Sequence, residues 1–233
     1  MEKISKVFIL LGFFVSITIA GYFLIRNETG QESTTPSKRE VAVESKYKII
    51  AFGDSLTAGY GLPSAESYPN QLEVALFRDG YDVQVINSGV SGETTRGNLE
   101  RASFIRSQNP DIVLLGIGGN DALRALSLSD TIKNIVETID ILQSGESPPV
   151  VILLGMQAPL NSGSVYKRDF DAMYKNISAS KKVELVPFIT PEVFLRSEYK
   201  LPDGIHLNRN GYKKIIELYI LNSVKDALEA ITV

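Results

Sequence analysis

Residues 48–59 read Lys-Ile-Ile-Ala-Phe-Gly-Asp-Ser-Leu-Thr-Ala-Gly, a short apolar run that stops at Gly53-Asp54-Ser55. Runs that are this short and apolar throughout are typical of strands buried on both faces of a parallel sheet. Gly53 permits a tight turn at the end of the run, so the Ser55 hydroxyl would point outward from the carboxyl end of the strand. Four similar runs follow along the chain: Val83–Asn87, Ile112–Gly116, Val150–Leu154 and Val183–Val186.

Segments with helical periodicity separate these runs. They cover Tyr68–Arg78, Arg96–Ser107, Ser129–Gln143 and Val165–Ser180, and a last one extends from about Arg209 to Ala230. Alternating strands and helices at this spacing predict an α/β fold, a parallel sheet of five strands with helices on both faces. Ligands of such folds bind beyond the carboxyl ends of the strands, where the strand order reverses.

The first part of the chain is of a different kind. Residues Val7–Ile25 form an uncharged run of 19, enough for a helix of roughly 28 Å that crosses a bilayer. We expect residues 1–26 to be a membrane anchor, with the flanking lysines and arginine favouring export of the remainder to the periplasm or cell surface. A cleavable signal peptide, giving a secreted protein, is the alternative. Residues 27–46 are polar and predict a flexible linker, which leaves residues 47–233 as the folded domain.

The composition excludes several kinds of chemistry. A net charge of −3 argues against nucleic acid as the main partner, because phosphate binding needs a clustered basic surface. The absence of cysteine excludes disulfides, thiol nucleophiles and iron–sulfur sites. There is a single histidine, His206, and the carboxylates are not grouped with histidines, so we expect neither a metal site nor a cofactor.

Four polar segments follow predicted strands or precede the last helix. They are Gly53–Gly61, Asn87–Thr94, Gly116–Asp121 and Asp203–His206. Together they contain a nucleophile, a base, a carboxylate to orient the base and hydrogen-bond donors, which are the groups that acyl transfer requires. Each segment alone has an ordinary structural explanation, such as a turn or a helix cap. Their order and their placement at strand ends favour a catalytic site.

The same segments resemble the four sequence blocks of the SGNH subgroup of GDSL hydrolases, and in particular its bacterial arylesterases, thioesterases and lysophospholipases. The blocks correspond to Gly-Asp-Ser-Leu at 53–56, Ser-Gly-Glu-Thr at 91–94, Gly-Gly-Asn-Asp at 118–121 and Asp-Gly-Ile-His at 203–206. The resemblance extends over the whole domain from Lys48 to the final helix. It implies a flavodoxin-like, three-layer α/β/α fold with the sheet order 2-1-3-4-5.

The resemblance also implies roles for individual residues. Ser55 would be the nucleophile, His206 the general base and Asp203 the residue that orients it. The backbone N–H groups of Ser55 and Gly92 and the side-chain amide of Asn120 would form the oxyanion hole. The spacing fits these roles, because an aspartate three residues before a histidine can reach Nδ1 and leave Nε2 facing the serine.

Two further acids, Asp54 and Asp121, lie inside these blocks. We interpret both as supporting residues that accept hydrogen bonds from neighbouring loop N–H groups.

The expected reaction is hydrolysis of an oxygen ester or thioester through an acyl-Ser55 intermediate. Lipid-type or aryl esters, such as lysophospholipids, are the favoured substrates, and the membrane is a further partner through the N-terminal segment. The loop Met156–Gly163 resembles the one that closes over the acyl chain in lipolytic relatives, although no aromatic residue stands beside Asn161. The alternatives are an O-acetylesterase or acyltransferase acting on an envelope glycan and, less favoured, a non-catalytic binding module. A monomer is expected.

Overall fold

The computed structural model describes residues 45–232, in which five parallel strands form one sheet in the order β2-β1-β3-β4-β5. The strands are β1 (Tyr47–Gly53), β2 (Val83–Gly89), β3 (Ile112–Gly116), β4 (Val150–Gly155) and β5 (Glu184–Pro187). The predicted fold class and strand order are confirmed. The predicted anchor at residues 1–26 and all but the end of the predicted linker at residues 27–46 lie outside the described residues. Among the helices within residues 45–232, none has both the length and the apolar character needed to cross a bilayer.

Helices cover both faces of the sheet. They are α1 (Ser55–Ala58), α2 (Tyr68–Arg78), α3 (Thr95–Ser107), α4 (Gly119–Leu123), α5 (Leu128–Leu142), α6 (Ser164–Lys181), α7 (Pro191–Phe194), α8 (Arg209–Ile215) and α9 (Leu221–Thr232). On one face α3, α5 and α6 pack side by side, while α2 packs with α8 and α9 on the other, which gives the three layers.

The long helices agree with the periodicity of the sequence to within two residues. The last predicted helix is not uniform, because a π-helical segment, Ile216–Ile220, joins α8 to α9. The short helices α1, α4 and α7 were not predicted, since four or five residues are too few to show a helical period.

Burial differs between the central and the edge strands. Residues 49–52 of β1, 112–115 of β3 and 152–154 of β4 are completely buried. In β2 the side chain of Gln84 is exposed, and in β5 that of Glu184 is exposed. The prediction that all five strands are buried on both faces is therefore wrong for β2 and β5, which form the edges of the sheet and face solvent in part.

Three glycines end the three neighbouring strands at one level. Gly53 of β1 pairs with Gly89 of β2 and with Gly116 of β3. A Cβ atom on Gly53 would lie 2.2 Å from Thr57 Oγ1 and 2.4 Å from the carbonyl oxygen of Gly116. Gly53 does not have a positive φ. Position 53 therefore requires glycine because of the close packing under α1, and not because of the tight turn that the sequence predicts.

Replacing Gly53 by alanine should therefore destabilise the domain by about 3 kcal/mol, since backbone atoms around the new methyl group have to move apart. Urea unfolding followed by circular dichroism measures this loss. Gly80→Ala is the matched control, because Gly80 has a φ of +89° but open space around it. Its alanine variant should lose only about 1 kcal/mol of stability, which is the cost of backbone strain at positive φ. Equal losses in the two variants would contradict the packing argument.

Candidate active site

Ser55 stands at the carboxyl end of β1 as the first residue of α1. Asp54 caps this helix, and its Oδ1 accepts a hydrogen bond from the Leu56 N–H at 3.0 Å. The N–H of a first helical residue has no acceptor within its own helix. Within residues 45–232 the Ser55 N–H donates no hydrogen bond to another protein group. The half-buried Ser55 therefore presents both its hydroxyl and a free N–H at the edge of the sheet.

His206 joins Ser55 to Asp203 through two short contacts. Its Nε2 lies 2.8 Å from Ser55 Oγ, and its Nδ1 lies 2.7 Å from Asp203 Oδ2. The other carboxylate oxygen, Oδ1, accepts the backbone N–H groups of Ile205 at 2.9 Å and of His206 itself at 3.0 Å. The structure thus brings together the three residues to which the family resemblance gave catalytic roles.

The environment of Asp203 keeps its carboxylate ionised. Partial desolvation raises the pKa, but the hydrogen bonds from the His206 backbone, the imidazole and the Ile205 backbone outweigh it and hold the pKa at about 2. A negative charge opposite Nδ1 favours the tautomer with a proton on that nitrogen. Nε2 is then free to accept a proton from Ser55.

Tyr60 covers the ring of His206. The two ring centroids are 4.5 Å apart and their planes are inclined by 34°. The Tyr60 N–H donates to the Ser55 carbonyl at 3.0 Å, so the turn after α1 folds back over the site. The sequence indicates no role for Tyr60, because an isolated tyrosine in a turn carries no signal that it packs on a distant histidine.

Gly92 lies in a tight turn next to the end of β1. The turn is closed by a hydrogen bond of 3.2 Å from the Glu93 N–H to the Val90 carbonyl, and the Val90 N–H donates to the Gly53 carbonyl at 3.0 Å. Gly92 has a φ of +81°, the left-handed value that a type II turn requires at its third residue. Among the described residues, no protein group accepts the Gly92 N–H.

Asn120, on α4, lies between this turn and Asp54. Its Nδ2 donates to the Glu93 carbonyl at 3.0 Å and makes a longer contact of 3.4 Å with Asp54 Oδ2. One amide proton is therefore fixed by the turn, and the other is held only weakly. A substrate oxygen could replace that longer contact.

The Glu93 side chain anchors the turn to α3. Its carboxylate accepts hydrogen bonds from Arg101 Nε at 2.8 Å and from Asn98 Nδ2 at 2.6 Å, and the Arg101 guanidinium lies 4.8 Å from the centroid of the Phe52 ring. The sequence does not indicate this network, because an acid after a glycine in a loop is expected to be solvated.

Asp121, on α4, supports the start of α3. Its carboxylate accepts the Thr95 N–H at 2.9 Å and the Thr95 hydroxyl at 2.6 Å, and the Thr131 hydroxyl lies at 3.3 Å. The N-cap residue of α3, Thr94, makes no side-chain cap, so Asp121 supplies the missing acceptor. Asp121 binds α3 and α5 rather than Ser55 or His206.

Asp54 is almost completely buried directly behind Ser55. Desolvation by burial is the main influence and raises its pKa to about 6, although the hydrogen bond from the Leu56 N–H works in the opposite direction. The cap of α1 is therefore a carboxylate that is costly to ionise. Within residues 45–232 no group of three or more acidic or histidine side chains is positioned to hold a metal ion.

An apolar cleft of about 500 Å³ is lined by Leu56, the residue after Ser55, and by Ile205, the residue before His206. Its walls come from the residues next to the site and from the loops after β3, β4 and β5. They include Leu56, Leu123, Met156, Ala158, Leu160, Ile189, Phe194, Leu195 and Ile205. The sequence had indicated only the 156–163 loop, because the other walls come from short elements far apart in the chain.

Comparison with known proteins identifies the family. The model of the GDSL-like lipase/acylhydrolase family matches residues 51–214. The chain belongs to this family. The resemblance inferred from the four sequence blocks is thereby confirmed, and the chain is a carboxylic ester hydrolase of the GDSL family.

Individual relatives agree with this membership. An arylesterase from Vibrio mimicus is 32% identical over 79% of this chain and 92% of its own. The thioesterase 1/protease 1/lysophospholipase L1 of Escherichia coli K12 is 30% identical over 70% of this chain and 76% of its own. The crystal structure of AlinE4, an SGNH-hydrolase family esterase, superposes with a TM-score of 0.63 at 38% identity, over 78% of this chain and 96% of that one.

Asp54→Asn tests the buried carboxylate of this GDSL hydrolase. The folded-state pKa of about 6 lies above the unfolded value of 3.8, so the stability that Asp54 contributes is complete below pH 4 and is lost as the pH rises to 6. Asparagine removes this loss and can still cap α1. The variant should therefore gain stability relative to wild type between pH 4.5 and pH 7.5, by up to about 3 kcal/mol.

Urea unfolding at several pH values measures this difference. Asp226→Asn, at an exposed position on α9, is the control, and its difference from wild type should change much less with pH. A constant difference for Asp54→Asn would show that the carboxylate does not titrate in this range.

Proposed function

We propose that Ser55, His206 and Asp203 form the catalytic triad of an esterase that hydrolyses oxygen esters or thioesters with an aliphatic acyl chain. The contact of 2.8 Å between His206 Nε2 and Ser55 Oγ carries the proposal, because it gives the serine a base in direct hydrogen-bonding range. The apolar cleft lined by the chain neighbours of Ser55 and His206 gives the acyl chain a place to bind.

The reaction proceeds in two steps. Ser55 Oγ attacks the acyl carbon as its proton passes to His206 Nε2, and the imidazolium then protonates the leaving alcohol or thiol as the carbon–oxygen or carbon–sulfur bond breaks. In the second step His206 takes a proton from water, the resulting hydroxide attacks the acyl-serine, and Ser55 Oγ departs with the proton. Asp203, ionised throughout, stabilises the imidazolium in both steps.

The oxyanion of each tetrahedral intermediate needs donors that are not already engaged. The N–H groups of Ser55 and Gly92 have no protein acceptor among the described residues, and one proton of the Asn120 amide has only the weak contact with Asp54. These three donors come from the ends of β1, β2 and β3, and we assign them to the oxyanion hole. Removing one donor of this kind typically costs about 10²–10³ in rate.

The size and lining of the cleft favour a lipid-type or other long-chain acyl group. An acetyl group would leave most of the 500 Å³ empty, whereas a longer chain would bury its methylenes against leucine and isoleucine. The Escherichia coli relative is named a thioesterase and lysophospholipase, which agrees with such a chain. An O-acetylesterase is therefore the less favoured alternative.

The proposal also includes the location of the enzyme. The uncharged run Val7–Ile25 would anchor the chain in a membrane, with the catalytic domain exported and tethered through residues 27–46. Esters of membrane origin would then be available close to the cleft.

Ser55→Ala and His206→Ala should each lower kcat at least about 10³-fold for p-nitrophenyl butyrate without changing the circular dichroism spectrum. Asp203→Asn should lose about 10²–10⁴-fold, since an amide N–H opposite Nδ1 favours the tautomer that cannot accept the serine proton. Labelling by a fluorophosphonate should occur in wild type and in the control Ser107→Ala, an exposed serine at the end of α3. Absence of labelling in wild type would contradict an activated Ser55 and favour a binding module.

The chain-length preference tests the cleft. From acetyl towards decanoyl p-nitrophenyl esters, kcat/KM should rise about two- to fourfold per methylene until the cleft is filled, since each buried methylene contributes about 0.8 kcal/mol. Leu195→Ser, at the mouth of the cleft, should lower kcat/KM several-fold for decanoyl but not for acetyl esters. Phe77→Ser is the control, because Phe77, like Leu195, is an exposed apolar residue (76% against 61%) but lies on α2, outside the cleft. A maximum at acetyl would overturn the lipid-ester proposal.

A further inference from the structure

We propose that Arg124 is a positioning residue that holds the Gly92 turn in the place from which the Gly92 N–H can reach the oxyanion. The inference rests on the proposed function, since it concerns one donor of the proposed oxyanion hole. It adds a residue to which neither the sequence blocks nor the Ser55–His206–Asp203 geometry assigns a role.

The direction of the Gly92 N–H depends on the type of turn. Type I and type II turns have the same ends and differ mainly by a flip of the central peptide, here the one between Ser91 and Gly92. A flip would turn the Gly92 N–H to the opposite side and place the Ser91 carbonyl where the N–H had been. The hydrogen bond that closes the turn between Glu93 and Val90 is possible in both forms, and the type II form is permitted by glycine at position 92, with its φ of +81°. With the type of turn set in this way, the Gly92 N–H reaches the site only if the turn as a whole is held in place.

Two side chains from the region of α4 hold the turn in place. Arg124 Nη2 donates to the Gly92 carbonyl at 2.8 Å, and Asn120 Nδ2 donates to the next carbonyl, that of Glu93, at 3.0 Å. Arg124 is the C-cap residue of α4, one helical turn beyond Asn120. Successive carbonyls of the turn are therefore fixed from a single short helix.

The charge of Arg124 is available for this carbonyl. Within the described part of the chain the guanidinium forms no ion pair, whereas Arg96 and Arg101 of α3 each pair with a glutamate. Hydrogen bonds from a charged donor are roughly twice as strong as neutral ones. Nη2 would also lie only 3.7 Å from a Cβ atom on Gly92, so the guanidinium is packed against the turn that it binds.

The test compares Arg124→Ala and Arg124→Lys with wild type, using the full-length chain and the neutral ester p-nitrophenyl butyrate. Arg124→Ala should lower kcat about tenfold with KM unchanged, since the oxyanion donor acts mainly in the transition state. Arg124→Lys should recover part of the loss, because an ammonium group can donate to the same carbonyl. Guanidinium ion at millimolar concentration should restore activity to Arg124→Ala, as the site is exposed to solvent, and leave wild type unchanged.

Arg96→Ala is the matched control, since Arg96 is an exposed arginine next to the same turn that makes no contact with Gly92. An unchanged kcat in Arg124→Ala would overturn the inference. So would a loss that guanidinium does not rescue and that accompanies a lower Tm, which would indicate a merely structural role. A rise in KM for p-nitrophenyl butyrate with kcat unchanged would also overturn it, since Arg124 would then bind substrate. If Ser55→Ala keeps full activity, the proposed function itself fails; if only Arg124→Ala does, this inference alone fails.

Discussion

The site depends on the register of three parallel strands. Gly53, Gly89 and Gly116 stand opposite one another, so β1, β2 and β3 end at the same level. With a Cβ atom on Gly89 only 2.2 Å from the Ala58 backbone nitrogen, the strand end leaves no space between itself and α1. A slip of one residue between these strands would both move the loops apart and drive a side chain into α1. The requirement for glycine at positions 53 and 89 and the convergence of the loops are therefore one constraint.

Two aspartates at this edge are held in opposite environments. Asp203 is partly exposed and accepts several hydrogen bonds, which keep its pKa at about 2. Asp54 is buried with few donors, which raises its pKa to about 6. The first arrangement suits a carboxylate that must stay charged beside His206. The burial of Asp54 destabilises the fold at neutral pH, but Asp54 also caps the helix that begins at Ser55. Its contact with the Asn120 amide is weak enough for a substrate oxygen to accept that hydrogen bond instead.

Most of the framework could be predicted from the sequence because each signal is local. A buried strand is a continuous apolar run, a long helix repeats its pattern, and the blocks around Ser55, Gly92, Asn120 and His206 are short and ordered. What the sequence did not provide depends on contacts between distant segments. Tyr60 packs on a ring that lies well over a hundred residues away in the chain, and the exposure of β2 and β5 depends on strand order rather than on composition. The interruption of the last helix by a π-helical segment also left no trace in the periodicity.

Helix α4 contributes both to the apolar cleft and to the support of the Gly92 turn, the proposed acyl and oxyanion sides of the site. Leu123 lines the cleft, whereas Arg124, the next residue, donates to the Gly92 carbonyl, and Asn120 lies one turn earlier on the same helix. A substitution in α4 that reshapes the cleft would therefore also disturb the donors proposed for the oxyanion hole. The α7 wall has no such link, because within residues 45–232 the backbone N–H groups of Phe194 and Leu195 donate to the carbonyls of Thr190 and Pro191, and not to the turn or to Ser55, His206 or Asp203. Substitutions in α7 and in the loop after β4 can therefore change the acyl-chain preference alone, whereas substitutions in α4 would also change the rate of the chemical step.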